Sequence, residues 1–192
     1  MLLGRRSMLS LTAAGATLTT LLPARQGIAG ESVEGLSKLA RSEPRPLPDF
    51  SFTDAEGTPR TAADFQGRPL LLNFWATWCP PCVAEMPALD RAQAALAGEG
   101  WAMLALSSDR GGKGQVEPFY QRTGLRHLAI WLDPRGAAAR AFGARGLPTS
   151  VIVDRQGREV ARLEGSAAWD DPAFIKLLRE LAGPAPETTQ RT

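Results

Sequence analysis

Residues Leu70 to Pro87 read LLLNFWATWCPPCVAEMP, and this stretch decides the fold. The apolar run Leu70 to Trp75 has the length and composition of a fully buried strand. A short turn follows, then Cys79-Pro80-Pro81-Cys82 and a helical pattern to Leu96. Cys79 and Cys82 are the only cysteines in the chain. A C-x-x-C pair where a strand gives way to a helix is a redox signature. Residues three apart on a first helical turn share a side, so the two sulfurs can meet. The unpaired N–H groups and partial positive charge of a helix start favour thiolate over thiol, which makes the first cysteine a nucleophile. Pro80 and Pro81 are tolerated there because a first turn needs no N–H, and they stiffen the small ring.

On the N-terminal side, Phe50 to Thr53 alternates like a strand. Asp54-Ala55-Glu56-Gly57 is a turn and Thr58 to Thr61 a returning strand, which makes a hairpin. The folded domain is expected over residues 47–183. Residues 31–46 read as a linker: a short helical stretch from Val33 to Arg41, then an extended run set by Pro44, Pro46 and Pro48. Residues 1–30 read as an export signal. Arg5-Arg6 precedes Ser7-Met8-Leu9 and a mildly apolar run to Leu22, the pattern of a twin-arginine leader. An ordinary secretory signal with a chance arginine pair, or an uncleaved anchor, gives the same composition.

On the C-terminal side, Cys82 to Leu96 is a helix with Pro87 inside it, which deletes one hydrogen bond to Val83 and is expected to bend the helix. Trp101 to Leu106 is a second buried strand. Gly111 to Gly114 reads as an open loop and lacks phosphate-loop spacing. Val116 to Thr123 is a helix, Ile130 to Leu132 a short strand and Ala137 to Phe142 a short helix. Gly146-Leu147-Pro148-Thr149 leads into strand Val151 to Val153. Asp154 to Gly157 turns the chain into strand Glu159 to Glu164, and Asp170 to Leu181 is an amphipathic helix. Residues 184–192 have the composition of a disordered tail.

The formal charge of +2 comes from the leader. Residues 1–30 hold Arg5, Arg6 and Arg25 and no acid, leaving 19 basic against 20 acidic residues beyond them. No basic stripe survives, which excludes a nucleic-acid binder. Zinc calls for about four ligands, and the chain offers two cysteines and the single His127, a loop residue with no partner motif. A purely structural disulfide is a poor reading as well, because so small a ring constrains the unfolded chain little.

Strand–helix–strand–helix followed by a hairpin and a last helix is the thioredoxin-like pattern: an α/β fold with a mixed central β-sheet flanked by helices and an N-terminal β-hairpin. Asn73 to Pro87 resembles the active-site segment of the TlpA/ResA/DsbE-like family of exported thiol–disulfide oxidoreductases, and Gly146 to Thr149 resembles the superfamily's cis-proline loop. The resemblance covers about Pro46 to Leu181. It implies that Cys79 is the exposed attacking thiolate and Cys82 the buried resolving one, with no cofactor beyond this redox-active disulfide. It implies that Glu85, three residues past Cys82, lies close to the sulfurs and handles the resolving thiol's proton. Asn73 stands where ordinary thioredoxins carry a buried Asp and reads as a buried, hydrogen-bonded amide. The resemblance also implies a cis Leu147–Pro148 bond beside Cys79 that exposes the Leu147 backbone to an extended substrate. Trp78, expected to pack beside Cys79, joins Pro80, Pro81, Leu147 and Pro148 as the candidate substrate-contacting residues. Trp75 reads as core.

The family implies protein thiol and disulfide substrates, apocytochrome c among them, and a periplasmic monomer re-reduced by a membrane donor of the CcdA/DsbD type. Three rivals share the fold. A peroxiredoxin-like antioxidant keeps its peroxide-attacking cysteine in a different motif. A Sco-type copper carrier needs a wider cysteine pair and a distal His, although a dithiol alone can bind Cu(I) weakly. A DsbA-type oxidant carries a large helical insertion after the motif.

Overall fold

A computed structural model describes residues 33–184. The expected export signal, and the tail beyond Pro184, lie outside the described residues. Eight strands form one sheet, in the order β1-β8-β7-β4-β5-β6-β2-β3. In chain order they are β1 (Ala40–Pro46), β2 (Phe52–Asp54), β3 (Pro59–Arg60), β4 (Leu70–Trp75), β5 (Ala102–Ser107), β6 (Trp131–Leu132), β7 (Thr149–Val153) and β8 (Arg158–Glu164). Four helices accompany them: α1 (Pro80–Leu96), α2 (Lys113–Thr123), α3 (Ala137–Ala141) and α4 (Pro172–Leu181).

The buried strand sits at the centre. β4 pairs parallel with β5 along its whole length and antiparallel with β7, from Leu70–Val153 to Phe74–Thr149. Side chains on a strand alternate between faces. Leu71 and Trp75 therefore join one apolar cluster with Met86 and Leu89 of α1, Phe119 of α2 and Phe174 and Leu178 of α4. Leu70, Leu72 and Phe74 join the opposite cluster with Phe52, Phe65 and residues 138, 139 and 142 around α3. Asn73 falls between Leu71 and Trp75, so it points toward the α1 side. That parity sets up the site.

The expected hairpin is present: β2 pairs antiparallel with β3, Phe52 opposite Arg60. α1 begins at Pro80 and continues through Pro87 without ending. The glycine loop at 111–114 is shorter than expected. Gly112, at φ 53°, caps α2, and the helix starts at Lys113.

The linker over 31–46 needs correcting. Leu36–Lys38 forms one 3-10 turn, and Ala40–Pro46 pairs antiparallel with β8 as an outer strand of the sheet. Every residue of β1 is exposed, so it carries no alternating apolar signal. Its two prolines suit an edge, where missing N–H groups cost least. Ion pairs fasten it: Arg45 to Glu159 at 2.6 Å and Arg41 to Glu180 at 3.4 Å. Just before it, the Ala168 N–H donates to the Glu34 carbonyl, and Gly35, at φ 83°, lies so close to Ala167 that a Cβ there would fall 2.6 Å from the Ala167 Cβ.

Candidate functional site

Cys79 and Cys82 form a disulfide with Cα atoms 5.3 Å apart. Cys79 is the N-cap of α1, and its Sγ accepts from the Cys82 N–H at 3.3 Å. The local sequence dictates that contact. Pro80 and Pro81 fill the first two helical positions and have no N–H, so Cys82 brings the first backbone donor of the helix to the sulfur. Both prolines are exposed. Cys79 is less open than its expected role suggested, with 5% of its surface accessible against 0% for Cys82. The order of exposure is as expected, but in the disulfide state Cys79 is nearly covered.

The turn before Cys79 is held by a residue the sequence did not single out. Asp109, fully buried beyond the end of β5, accepts from the Thr77 N–H at 2.8 Å, the Thr77 hydroxyl at 2.7 Å and the Ser107 hydroxyl at 2.8 Å. The Cys79 N–H donates to the Ala76 carbonyl at 3.2 Å. The parallel register of β4 and β5 ends at Trp75–Ser107, which brings this carboxylate to the turn.

Glu85 lies on the inward face of α1, three residues past Cys82, and only 3% of its surface is exposed. Its Oε1 accepts from the Asn73 amide at 2.8 Å. Its Oε2 accepts from the Ala167 N–H and from the Trp169 indole N–H, both at 3.0 Å. Burial pushes this carboxyl up to about 7, against the three hydrogen bonds that favour its charged form. Asn73 is the buried amide expected. Its Nδ2 also donates to the Ser150 hydroxyl at 2.9 Å, and its Oδ1 has no partner among the described residues. Ala167 and Trp169 escaped the sequence reading, which offered no signal for them beyond a tryptophan ahead of the last helix.

The Leu147–Pro148 peptide is cis. Thr149 pairs with Phe74, so Pro148 sits one step further along, level with Trp75 and the turn that leads to Cys79. Pro148 is buried, and its carbonyl accepts from the Gly165 N–H at 2.9 Å. Leu147 is half-buried, and its backbone N–H and carbonyl have no hydrogen-bond partner among the described residues. Trp78, the chain neighbour of Cys79, is 66% accessible, the one large apolar side chain so exposed among the described residues. Trp75 is core, as expected. His127 is exposed, and its backbone N–H donates to the buried Asp90.

No three His, Cys, Asp or Glu side chains among the described residues are grouped so as to hold a metal ion. No helix among them is long and apolar enough to cross a membrane.

A mixed sheet whose central strand delivers a vicinal cysteine pair to a helix start defines a thioredoxin-like thiol–disulfide oxidoreductase. The chain belongs to the Redoxin family, whose profile matches residues 43–174. Within it, the chain is of the TlpA/ResA/DsbE-like type. It is 33% identical over 124 residues to the thiol–disulfide oxidoreductase ResA of Geobacillus thermodenitrificans, covering 65% of this chain and 70% of that protein. It is 36% identical over 118 residues to the thioredoxin-like protein YneN of Bacillus subtilis, covering 60% of this chain and 67% of that one. A Chlorobium tepidum structure described as a thiol:disulfide interchange protein DsbE superposes with a TM-score of 0.65 at 26% identity, covering 75% of this chain and all of that one.

Proposed function

We propose that this protein is an exported reductant of protein disulfides that works through the Cys79–Cys82 dithiol. In the reduced protein the Cys79 thiolate, favoured by the Cys82 N–H and the helix start, attacks one sulfur of a substrate disulfide. A mixed disulfide forms and one substrate thiolate leaves. Cys82 gives up its proton and attacks the Cys79 sulfur, releasing the second substrate thiolate and closing the Cys79–Cys82 disulfide. Two electrons have then passed to the substrate. Glu85, on the same helical face as Cys82, takes that proton. A group whose affinity for protons is centred near neutrality suits the transfer in both directions.

Leu147 and Pro148 are the substrate-side edge. The unpaired Leu147 N–H and carbonyl can take an extended segment as an added strand, beside Trp78, Pro80 and Pro81. The redox-active disulfide serves as the only cofactor. The leader over residues 1–30 carries the protein to the periplasm by the twin-arginine route, and the domain acts there as a monomer. Apocytochrome c-type cysteine pairs are the substrate class, and a membrane dithiol donor of the CcdA/DsbD type restores the reduced state.

One observation carries this reading: the chain's only cysteine pair closes as a disulfide at the start of α1, with Cys79 as its N-cap and the Glu85 carboxyl buried three residues past Cys82. Equilibration of the Cys79–Cys82 couple against dithiothreitol and glutathione buffers tests it. A potential well below that of the periplasmic oxidants, with catalysed reduction of insulin, is expected. A strongly oxidising couple would reverse the assignment and make the protein a disulfide donor.

A further inference from the structure

We infer that the cleft beside the cysteine pair is a docking site for an extended acidic segment flanking the substrate's disulfide. The inference rests on the reductase reading above and names the substrate class of that site. β4, β5 and β6 run parallel, so the turns that follow them leave the sheet at one edge. In sheets of this kind ligands bind outside the carboxyl ends of the strands. These three turns enclose a cleft of about 820 Å³ lined by Trp78, Ser108, Arg110, Pro134, Arg135 and Gly136. The turns after β5 and β6 approach closely, for a Cβ on Gly136 would lie 3.6 Å from the Ser108 hydroxyl. Trp78 is the chain neighbour of Cys79, so the cleft borders the turn that carries the cysteine pair.

Its charge is one-sided. Arg110 and Arg135 are exposed, and neither has a carboxylate within 4.0 Å among the described residues. Of the ten other exposed arginines among the described residues six are paired with an acid, as Arg145 is with Glu164 and Arg179 with Glu99. The two acids nearest in sequence are turned inward and occupied. Asp109 holds Thr77 and Ser107, and Asp133 accepts from the backbone N–H groups of Ala137 and Ala139. No acidic side chain lines the cleft. Over residues 33–184 as a whole, basic and acidic side chains are equal in number. Two unpaired guanidinium groups around an exposed indole suit carboxylates spaced along a peptide that lies across the ring. An apolar partner would have to bury both charges unpaired.

The test is single-turnover exchange between the reduced protein and three disulfide-bridged peptides of equal length, with acidic, neutral or basic residues flanking one cysteine. Bis(2-hydroxyethyl) disulfide, which is small and neutral, serves as a fourth substrate. In the wild type the acidic peptide should react roughly tenfold faster than the basic one at low salt, converging as ionic strength approaches about 0.5 M. In R110Q/R135Q the three rates should coincide. Equal rates for all three peptides in the wild type, with the small disulfide still reduced, overturn the cleft assignment alone. Failure to reduce any of the four overturns the reductase reading and the inference with it. An acidic preference that persists in the double variant overturns the role of these arginines. Inhibition by a single-stranded oligonucleotide without any charge order among the peptides assigns them to phosphate and overturns the inference too.

Discussion

Replacing Glu85 with Gln isolates the ionisation of one buried carboxyl. In the fold its proton affinity is centred at about 7, against an ordinary value of 4.5. Below pH 4.5 the carboxyl is protonated in both folded and unfolded chains and contributes nothing. Between 4.5 and 7 the unfolded chain ionises while the folded protein holds its proton, so stability falls as pH rises. Above 7 both forms are ionised and the loss stops growing. At about 1.4 kcal/mol per pH unit, the interval amounts to about 3 kcal/mol. Gln removes this dependence and can keep the local bonds. If the introduced side chain turns its carbonyl toward Ala167 and Trp169, its amide nitrogen faces Asn73. A flip of Asn73 then presents the Oδ1 that now lacks a partner, and the Ser150 hydroxyl can donate to the same atom. Urea unfolding of the oxidised proteins between pH 4.5 and 8 measures the effect. The stability of the variant relative to wild type should rise by about 3 kcal/mol across that range. Buried Asp133 is common to both proteins and cancels in the difference. Parallel stability curves would refute the reasoning. In the same variant, resolution of the mixed disulfide should slow and lose its pH dependence near 7. An unchanged rate and an unchanged thiol titration would end the proton-transfer role.

Three further outcomes are expected. Cys82→Ser should accumulate a mixed disulfide with a peptide substrate on non-reducing gels, whereas Cys79→Ser should form none, because Cys82 is the fully covered sulfur. Asp90→Ala should cost about 3 kcal/mol in denaturant unfolding, since its Oδ1 accepts from the N–H groups of Arg126, His127 and Leu128, while the redox potential should stay within error of wild type. Gly35→Ala should lower stability by about 1–3 kcal/mol, as it strains a positive φ and drives a methyl into Ala167; a variant that melts with the wild type would contradict the close approach.

The central strand, the cysteine pair and the order of elements were legible because each has a local signature: an apolar run, a spacing, a periodicity. Asn73 and Glu85 were legible one at a time. Their meeting was not, since it depends on strand parity and helix phase together. The remaining donors to Glu85 lie 82 and 84 residues away, and nothing local marks a backbone N–H as a partner. Asp109 was hidden for the same reason, since its value lies in the register between β4 and β5. β1 was missed because it buries no side chain and owes its place to hydrogen bonds and ion pairs. The exposure of Trp78 ran against the usual fate of an indole, and it became informative only beside two unpaired arginines.

The rims of the sheet carry a last consequence. On one side the outermost strand is ARSEPRP, with charges at Arg41, Glu43 and Arg45 and rings at Pro44 and Pro46; on the other it is the two-residue Pro59-Arg60. Prolines and charges are what keep a foreign strand from zipping onto an open border. Both flanks are thus poor templates for a visiting polypeptide, while at the bend before β7 the Leu147 main chain has no hydrogen-bond partner among the described residues. Such borders guard the domain against clumping, and on the proposed reading they leave the bend before β7 as the place for a substrate strand.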